Sequence, residues 1–499
     1  MTNGESADKM IGEFNIETGN YLVKKRDYIF SALLVVACIA FTVLSLWGGF
    51  KAGFTVTYVM FFSIMTAYLY KREVNISFFG ALSGILALIS SLVFGYSSNL
   101  GVNFYLYIIM FILSGIWFLS LSGKFEEHGE LGIIGSVFSS VFGKAFGGIS
   151  KTVKGIFSSG NGKAKGIGKA IIGILCAVPL LLIVLPVLCS ADMAFEGLIK
   201  QFGDNMGKRV IQLIIGIVIS PFVISYAMGL KKDIKKETKL KEPKTLENVF
   251  IISFLGVISL VYVAYLFSQL AYFFSAFQGI LPEEYIPAQY ARRGFFEMCV
   301  IAGINFALVF TAILLSRKKD KKPAKIVSAL CIFISLFTLV LISTVIAKMV
   351  LYIQFFGMTV LRITTSGFMV FLFTVFIALI LRCFTNRVKV VRIALISATV
   401  VLLVLGFGNV EGMVAKYNVE AYKSEKLQYI DIDTIENLGL SGVPALYDIT
   451  ENVDNYEYKK EARRALMRIN EYYNNSDREI GDWRLTDQQA YDILDKMFK

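Results

Sequence analysis

The run IVSALCIFISLFTLVLISTVIA, residues 326–347, decides the fold class, because it holds 22 residues and no charge. About 20 helical residues cross a hydrocarbon layer roughly 30 Å thick. Within lipid every backbone N–H and C=O must be satisfied inside its own segment, so a lone apolar run crosses as a helix. Its flanks agree: Arg317 to Lys325 carries six Lys/Arg before it, and Lys348 closes it. Outward from this run the same pattern recurs at 28–47, 52–70, 76–94, 102–121, 170–190, 209–230, 248–268, 295–316, 362–382 and 391–410. With 326–347 these make eleven expected spans. The chain is 56% hydrophobic and 18% charged over 499 residues, a composition that fits an all-α polytopic membrane bundle and not a string of soluble domains.

Charge placement gives the expected orientation. With the N-terminus inside, the inner segments (1–27, 71–75, 122–169, 231–247, 317–325, 382–392) carry 30 Lys/Arg. The outer connections carry 8. This is the positive-inside pattern of a cytoplasmic membrane. An odd number of spans then leaves residues 411–499 outside. Those residues hold 12 Lys/Arg against 18 Asp/Glu, so the basic excess of the whole chain (+12) belongs to the membrane part. The positive charges lie in short loops between spans, which excludes a nucleic-acid face.

The domain reading follows: a polar cytoplasmic lead-in at 1–27, a membrane domain at 28–410 and a small helical extracytoplasmic domain at 411–499. Lys24, Lys25 and Arg26 lead straight into a full-length apolar run, so no cleavable leader is expected. In the loop 122–169, Ile134, Val137, Phe138, Val141, Phe142, Ile149, Val153 and Ile156 recur at helical spacing, opposite Lys144, Lys151 and Lys154. That pattern suits a helix lying in the inner interface with its lysines toward anionic head groups, or a helix packed beneath the bundle. Gly80 and Gly84 form a small-xxx-small pair suited to close helix contact. Pro179, Pro186 and Pro221 are expected to kink or break the fifth and sixth spans. In the tail, Met413, Tyr417, Val419 and Tyr422, then Ile435 and Leu438, then Ala462, Leu466 and Ile469, suggest short amphipathic helices with turns at Ser441-Gly442 and Asn474-Asn475.

Little in the sequence speaks for chemistry. His128 is the single histidine and the six cysteines show no CxxC spacing, so neither a His-rich metal site nor a bound cofactor is expected. Gly160 to Lys169 imitates a phosphate loop, yet Lys163 stands where glycine is required and Ala170 where a hydroxyl is required.

The candidate site is on the outer side. Tyr290-Ala-Arg-Arg-Gly-Phe-Phe-Glu297 places Arg292 and Arg293 where positive charge is otherwise avoided, just before a helix N-terminus that repels cations. Arg362 repeats the anomaly at the start of the tenth span. Glu297, Asp192 and Glu411 are acids available to offset these charges. Two readings follow. One is an ion-pair network locking outer helix ends to the tail, and the other is a guanidinium-lined pocket for an anionic lipid or small anion. The lipid bilayer is the expected environment, and an envelope protein the expected partner of the tail.

At these residues the chain resembles the bacterial multi-pass membrane proteins grouped as domain of unknown function 4173, and the related 4153 group. The landmarks are Ser190-Ala191-Asp192 with Phe195, the Tyr290–Glu297 stretch, Gly357 to Arg362, Asn409, Ala415 to Val419 (including Tyr417 and Asn418) with Tyr422, Val443-Pro444-Ala445-Leu446 and Asp482-Trp483-Arg484. Lys416 departs from the arginine expected there. The resemblance implies a membrane-embedded protein without an assigned reaction, in which the tail belongs to the same unit as the spans.

Overall fold

The computed structural model describes residues 25–46, 50–96, 100–125, 132–149, 208–231, 246–278, 287–316, 324–385, 387–475 and 482–498, with isolated positions between 184 and 197. The expected fifth span, Pro179 and Pro186 lie outside the described residues. Among the described residues ten helices are long and apolar enough to cross a membrane, and there are no strands. They are α1 (Lys25–Phe41, continued by a π-helical turn Thr42–Leu46), α2 (Ala52–Leu69), α3 (Phe78–Tyr96), α4 (Leu100–Leu121), α6 (Lys208–Lys231), α7 (Asn248–Gln278), α8 (Pro287–Leu315), α9 (Lys325–Phe356), α10 (Val360–Phe384) and α11 (Val390–Phe407). A shorter apolar helix, α5 (Gly132–Gly147), precedes α6. The chain is an all-α polytopic bundle.

Two large cores divide the spans, and a smaller cluster of Phe54, Val93, Phe94, Val102, Leu106 and Met110 joins α2, α3 and α4. Leu34, Met65, Ala87, Leu113, Val137 and Ala227 belong to one, built from α1 to α6. Leu255, Ala302, Ile334 and Phe376 belong to the other, built from α7 to α10. Helix α11 is the seam, with Leu395 in the first core and Val390 in the second. Small residues let helices close up where the sequence suggests. A Cβ on Gly80 would lie 2.4 Å from the Ser120 hydroxyl, and one on Gly84 would lie 2.7 Å from the Trp117 ring. In the second core a buried polar relay pins three helices. The Tyr262 hydroxyl donates to Asn305 Oδ1 (2.6 Å), and Asn305 Nδ2 donates to Thr338 Oγ1 (2.8 Å). Burying these groups is tolerable because each has its partner.

Three findings refine the expectations. Helix α6 runs through Pro221 without interruption, so the sixth span is not broken. Helix α9 continues to Phe356, which puts Lys348 inside a helix and not in a connection. Helix α5 packs against α4 and α6: the Ser225 hydroxyl donates to the Lys144 carbonyl, and a Cβ on Gly229 would meet Lys144. Lys144 therefore lies against α6, whereas Phe138, Phe142 and Phe146 are exposed. Helix α5 thus lies alongside α4, where Val137 meets Gly115 and Phe138 meets Phe111, and against α6.

Residues 409 onward form five further helices, α12 (Val410–Lys423), α13 (Ile432–Glu436), α14 (Val443–Asn452), α15 (Tyr456–Asn475) and α16 (Gln488–Phe498). They share one apolar core through Val419, Ile435, Leu446, Leu466 and Leu494. The turn expected at Ser441-Gly442 is a single 3-10 turn, Gly439–Gly442. Met413 is exposed, and Val414 and Ala415 fill the buried face of α12 instead.

Candidate functional site

The hydrogen bonds and ion pairs sort the helix ends into two sides. On one, Asp27 pairs with Lys231 (2.5 Å) and accepts from the Tyr68 hydroxyl (3.0 Å), joining the start of α1 to the ends of α2 and α6. Lys124, just after α4, donates to the carbonyls of Gly229 and Leu230. Arg392 at the start of α11 lies over Phe79 at the start of α3. Leu246 bridges Ser316, joining the start of α7 to the end of α8. The opposite ends of these helices make the other side, and the tail sits there.

Three separate attachments hold it. Lys51, in the α1–α2 connection, forms an ion pair with Asp482, and the neighbouring Ala52 N–H donates to the Trp483 carbonyl (3.2 Å). The Thr486 hydroxyl donates to the carbonyl of Tyr96 at the end of α3 (2.8 Å). Asn418 grips the α9–α10 connection with both ends of its amide: Oδ1 accepts from Met358 N–H (2.7 Å) and Nδ2 donates to the Met358 carbonyl (2.8 Å). Gly357 makes that grip possible. Its φ of 74° is natural for glycine alone among common residues, and a Cβ there would lie 2.6 Å from Asn418 Oδ1.

The sequence candidates fall around this junction in different roles. Among the described residues Arg362 is paired with backbone carbonyls and an aromatic ring, not with an acid. Its Nη1 donates to the carbonyls of Phe356 (3.0 Å) and Gly357, and the guanidinium lies 3.9 Å from the centre of the Tyr352 ring. The anomaly of a cation at a helix start is thereby resolved. The side chain reaches back to the C-terminal end of α9, where orphan carbonyls and the negative dipole end attract it. The N-terminus of α10 is capped by Thr359, which accepts from the Arg362 N–H. Asn409 adopts a left-handed conformation (φ 44°) and caps α12 by accepting from Gly412 N–H. Glu411, in the first turn of α12, accepts from the Ser441 hydroxyl (3.3 Å), tying α12 to the 3-10 turn. Tyr417 is half-buried beside Asn418.

The remaining candidates are placed only in part. Glu297 projects from α8 within electrostatic reach of Lys348 on α9. Arg292 and Arg293 lie in helix α8, with Arg293 one helical repeat before Glu297. Their side chains lie outside the described residues. Asp192 is exposed, and its N–H donates to the Leu188 carbonyl (3.1 Å). The structure therefore brings together Arg362, Asn418 and the Gly357 turn, with Asn409 and Glu411 at the base of the same tail helix.

Sequence reasoning passed over Lys51, Thr486 and Asp487. Asp487 is 4% exposed and faces Arg484, Lys51 and Asp482, and burial holds its carboxyl above the usual aspartate range. The Asp482-Trp483-Arg484 landmark was the one local signal for this part of the junction. The lone lysine in an otherwise uncharged short connection was the other.

A family model described as domain of unknown function (DUF4153) matches residues 81–449, from the first turn of α3 into α14. The chain belongs to the DUF4153 family. The match covers the second core, the part of the first core that follows α2, and the tail helices as far as Ile449 in α14, and so includes the Asn418 grip on Met358. No curated protein and no solved structure matches this DUF4153 chain.

Proposed function

We propose that this DUF4153 protein is a non-enzymatic scaffold or sensor of a bacterial cytoplasmic membrane. Its extracytoplasmic tail couples capture of an envelope protein to the arrangement of the two helical cores. One observation carries the reading: the tail is fastened to both cores at once, to the first through Lys51 and Tyr96 and to the second through Met358. Any shift of one core against the other must strain or release an attachment, and a partner pulling on the tail acts on both. The placement outside is supported by charge. The side opposite the tail gathers Arg26, Lys71, Arg72, Lys124, Lys231, Arg387 and Lys389, the bias expected of a cytoplasmic face. A kinship with the 4173 group belongs to the same reading.

Site-directed photo-crosslinking from exposed tail positions such as Tyr456 and Tyr472 in intact membranes tests it. The full chain should capture a defined partner. Deleting residues 411–499 should abolish that capture, and Asn418→Ala should change its yield. Partners unchanged by the deletion would reject the scaffold. A permease binding anions through Arg292 and Arg293 is the alternative. It predicts thermal stabilisation by an anionic lipid or solute that Arg292→Ala and Arg293→Ala remove.

A further inference from the structure

A cavity of about 470 Å³ lies within the first core, bounded by α1, α2, α4, α5 and α6. Phe54 and Tyr107 line its tail-side end, Cys38 and Ser114 its middle, and Phe118 and Tyr226 its far end. From Tyr107 to Phe118 the wall follows α4 for eleven residues, about 16 Å at 1.5 Å per residue. That matches the depth of one leaflet, about half of a 30 Å hydrocarbon core.

Water has little to hold it there. The walls are almost wholly apolar, and the hydroxyls near the middle are already engaged. Thr57 donates to the Gly53 carbonyl, Tyr58 and Ser114 share a 2.6 Å hydrogen bond, and Ser114 reaches the Met110 carbonyl. Apolar cavities of only about 150 Å³ stay dry and take up apolar ligands. Tyr226 is different. It is 8% exposed, and its hydroxyl is buried without a hydrogen-bond partner among the described residues. A buried phenol is expected to find an acceptor. Tyr226 stands five residues from Lys231, about 8 Å along α6 from the helix end on the side opposite the tail.

We propose that this cavity binds one acyl chain of a glycerophospholipid from the leaflet opposite the tail, with the ester carbonyl accepting a hydrogen bond from the Tyr226 hydroxyl. The leaflet-length apolar shaft selects the chain. The unpartnered Tyr226 hydroxyl, set at the depth where the chain joins its head group, selects the ester and the direction of entry.

The test uses the full chain in vesicles of phosphatidylethanolamine and phosphatidylglycerol containing a phosphatidylglycerol with a mid-chain diazirine. Photolabelling followed by peptide mapping should mark α4 and α6 around Ser114 and Phe222. Tyr226→Phe keeps the ring and should lower cavity labelling about 2- to 10-fold, the worth of one neutral hydrogen bond. Ala145→Trp, which fills the far end, should abolish it, and Ser114→Leu serves the same purpose if that variant does not fold. Labelling confined to lipid-facing positions such as Val249 and Leu260, and indifferent to these substitutions, would overturn the proposal. So would labelling by a diazirine fatty acid but not by the phospholipid. A cysteine crosslink from Cys38 to residues 170–190 of the same chain, showing that the protein fills its own cavity, would overturn it as well.

Discussion

Asn418 does more per atom than any other side chain at the junction, because one amide satisfies both backbone groups of Met358 across the gap between tail and membrane helices. Asn418→Ala removes both bonds and leaves a half-buried N–H and C=O unpaired, which costs about 1–3 kcal/mol. A lowered melting temperature of the full chain in nanodiscs, with faster protease cleavage near Gly357, is the expected result. An unchanged melting curve would show that the grip is dispensable. Arg362→Lys should also destabilise, by roughly 1 kcal/mol, since a lysine cannot span two carbonyls while lying flat on Tyr352. Titrating residues give opposite signs. The Arg468 guanidinium, bonded to both carboxylate oxygens of Glu436 (2.7 and 2.5 Å), holds that carboxyl below its ordinary value. Its contribution is present above about pH 4.3 and is lost as pH falls through the lowered value. Burial raises Asp487, so its contribution is present below about pH 3.9 and is lost as pH rises through the raised value. At pH 7 Glu436→Gln should therefore destabilise the tail, by a few tenths to about 1 kcal/mol at so exposed a pair. Asp487→Asn should stabilise it. Thermal melts of both variants between pH 3.5 and 8 check the signs, and matching slopes for the two would refute the assignment.

At the scale of elements, the spans were legible because lipid removes alternatives: an uncharged run of span length has one backbone solution. Gly80 and Gly84 were legible for a related reason, since only small residues admit Ser120 and Trp117 at that distance. Of the two outcomes expected at Pro221, a kink or a break, the break does not occur, because a proline in a well-packed span need not end it: α6 keeps its helix while burying Ile224, Tyr226 and Ala227 around that point. Arg362 stands out in the sequence, but its partners, the Phe356 and Gly357 carbonyls, do not. Helix register shows where a side chain starts, yet a long arginine can turn back to the preceding helix, and the C-terminal carbonyls of α9 are a stronger lure than a distant carboxylate. Lys51 and Asp482 each carry a local signal, but their pairing is not legible. No periodicity or spacing relates two such distant residues. The tail core was partly legible: α15 shows its apolar stripe at Ala462, Leu466 and Ile469, all buried as the spacing predicts.

The whole molecule turns on which compartment the tail faces. Its side is fixed relative to the helices without counting spans, because Lys51, Tyr96 and Met358 all belong to connections that it touches. The proposed compartment rests on charge: the opposite side carries the basic loops, and translocating those is what the membrane resists. In a cysteine-free background, Tyr456→Cys on the tail should react with a membrane-impermeant maleimide in whole cells. Arg72→Cys, in the α2–α3 connection, should react only after the membrane is opened. Both positions are exposed, so reagent access to the side chain does not distinguish them, and the bilayer alone does. Equal labelling of the two in sealed cells would put tail and basic loops in one compartment. That result would contradict the three attachments as well as the orientation, since residue 72 and residue 456 lie at opposite ends of the same helices. Reversed labelling would keep the attachments and invert the protein. The tail would then capture a cytoplasmic partner, and the acyl chain held beside Tyr226 would come from the outer leaflet.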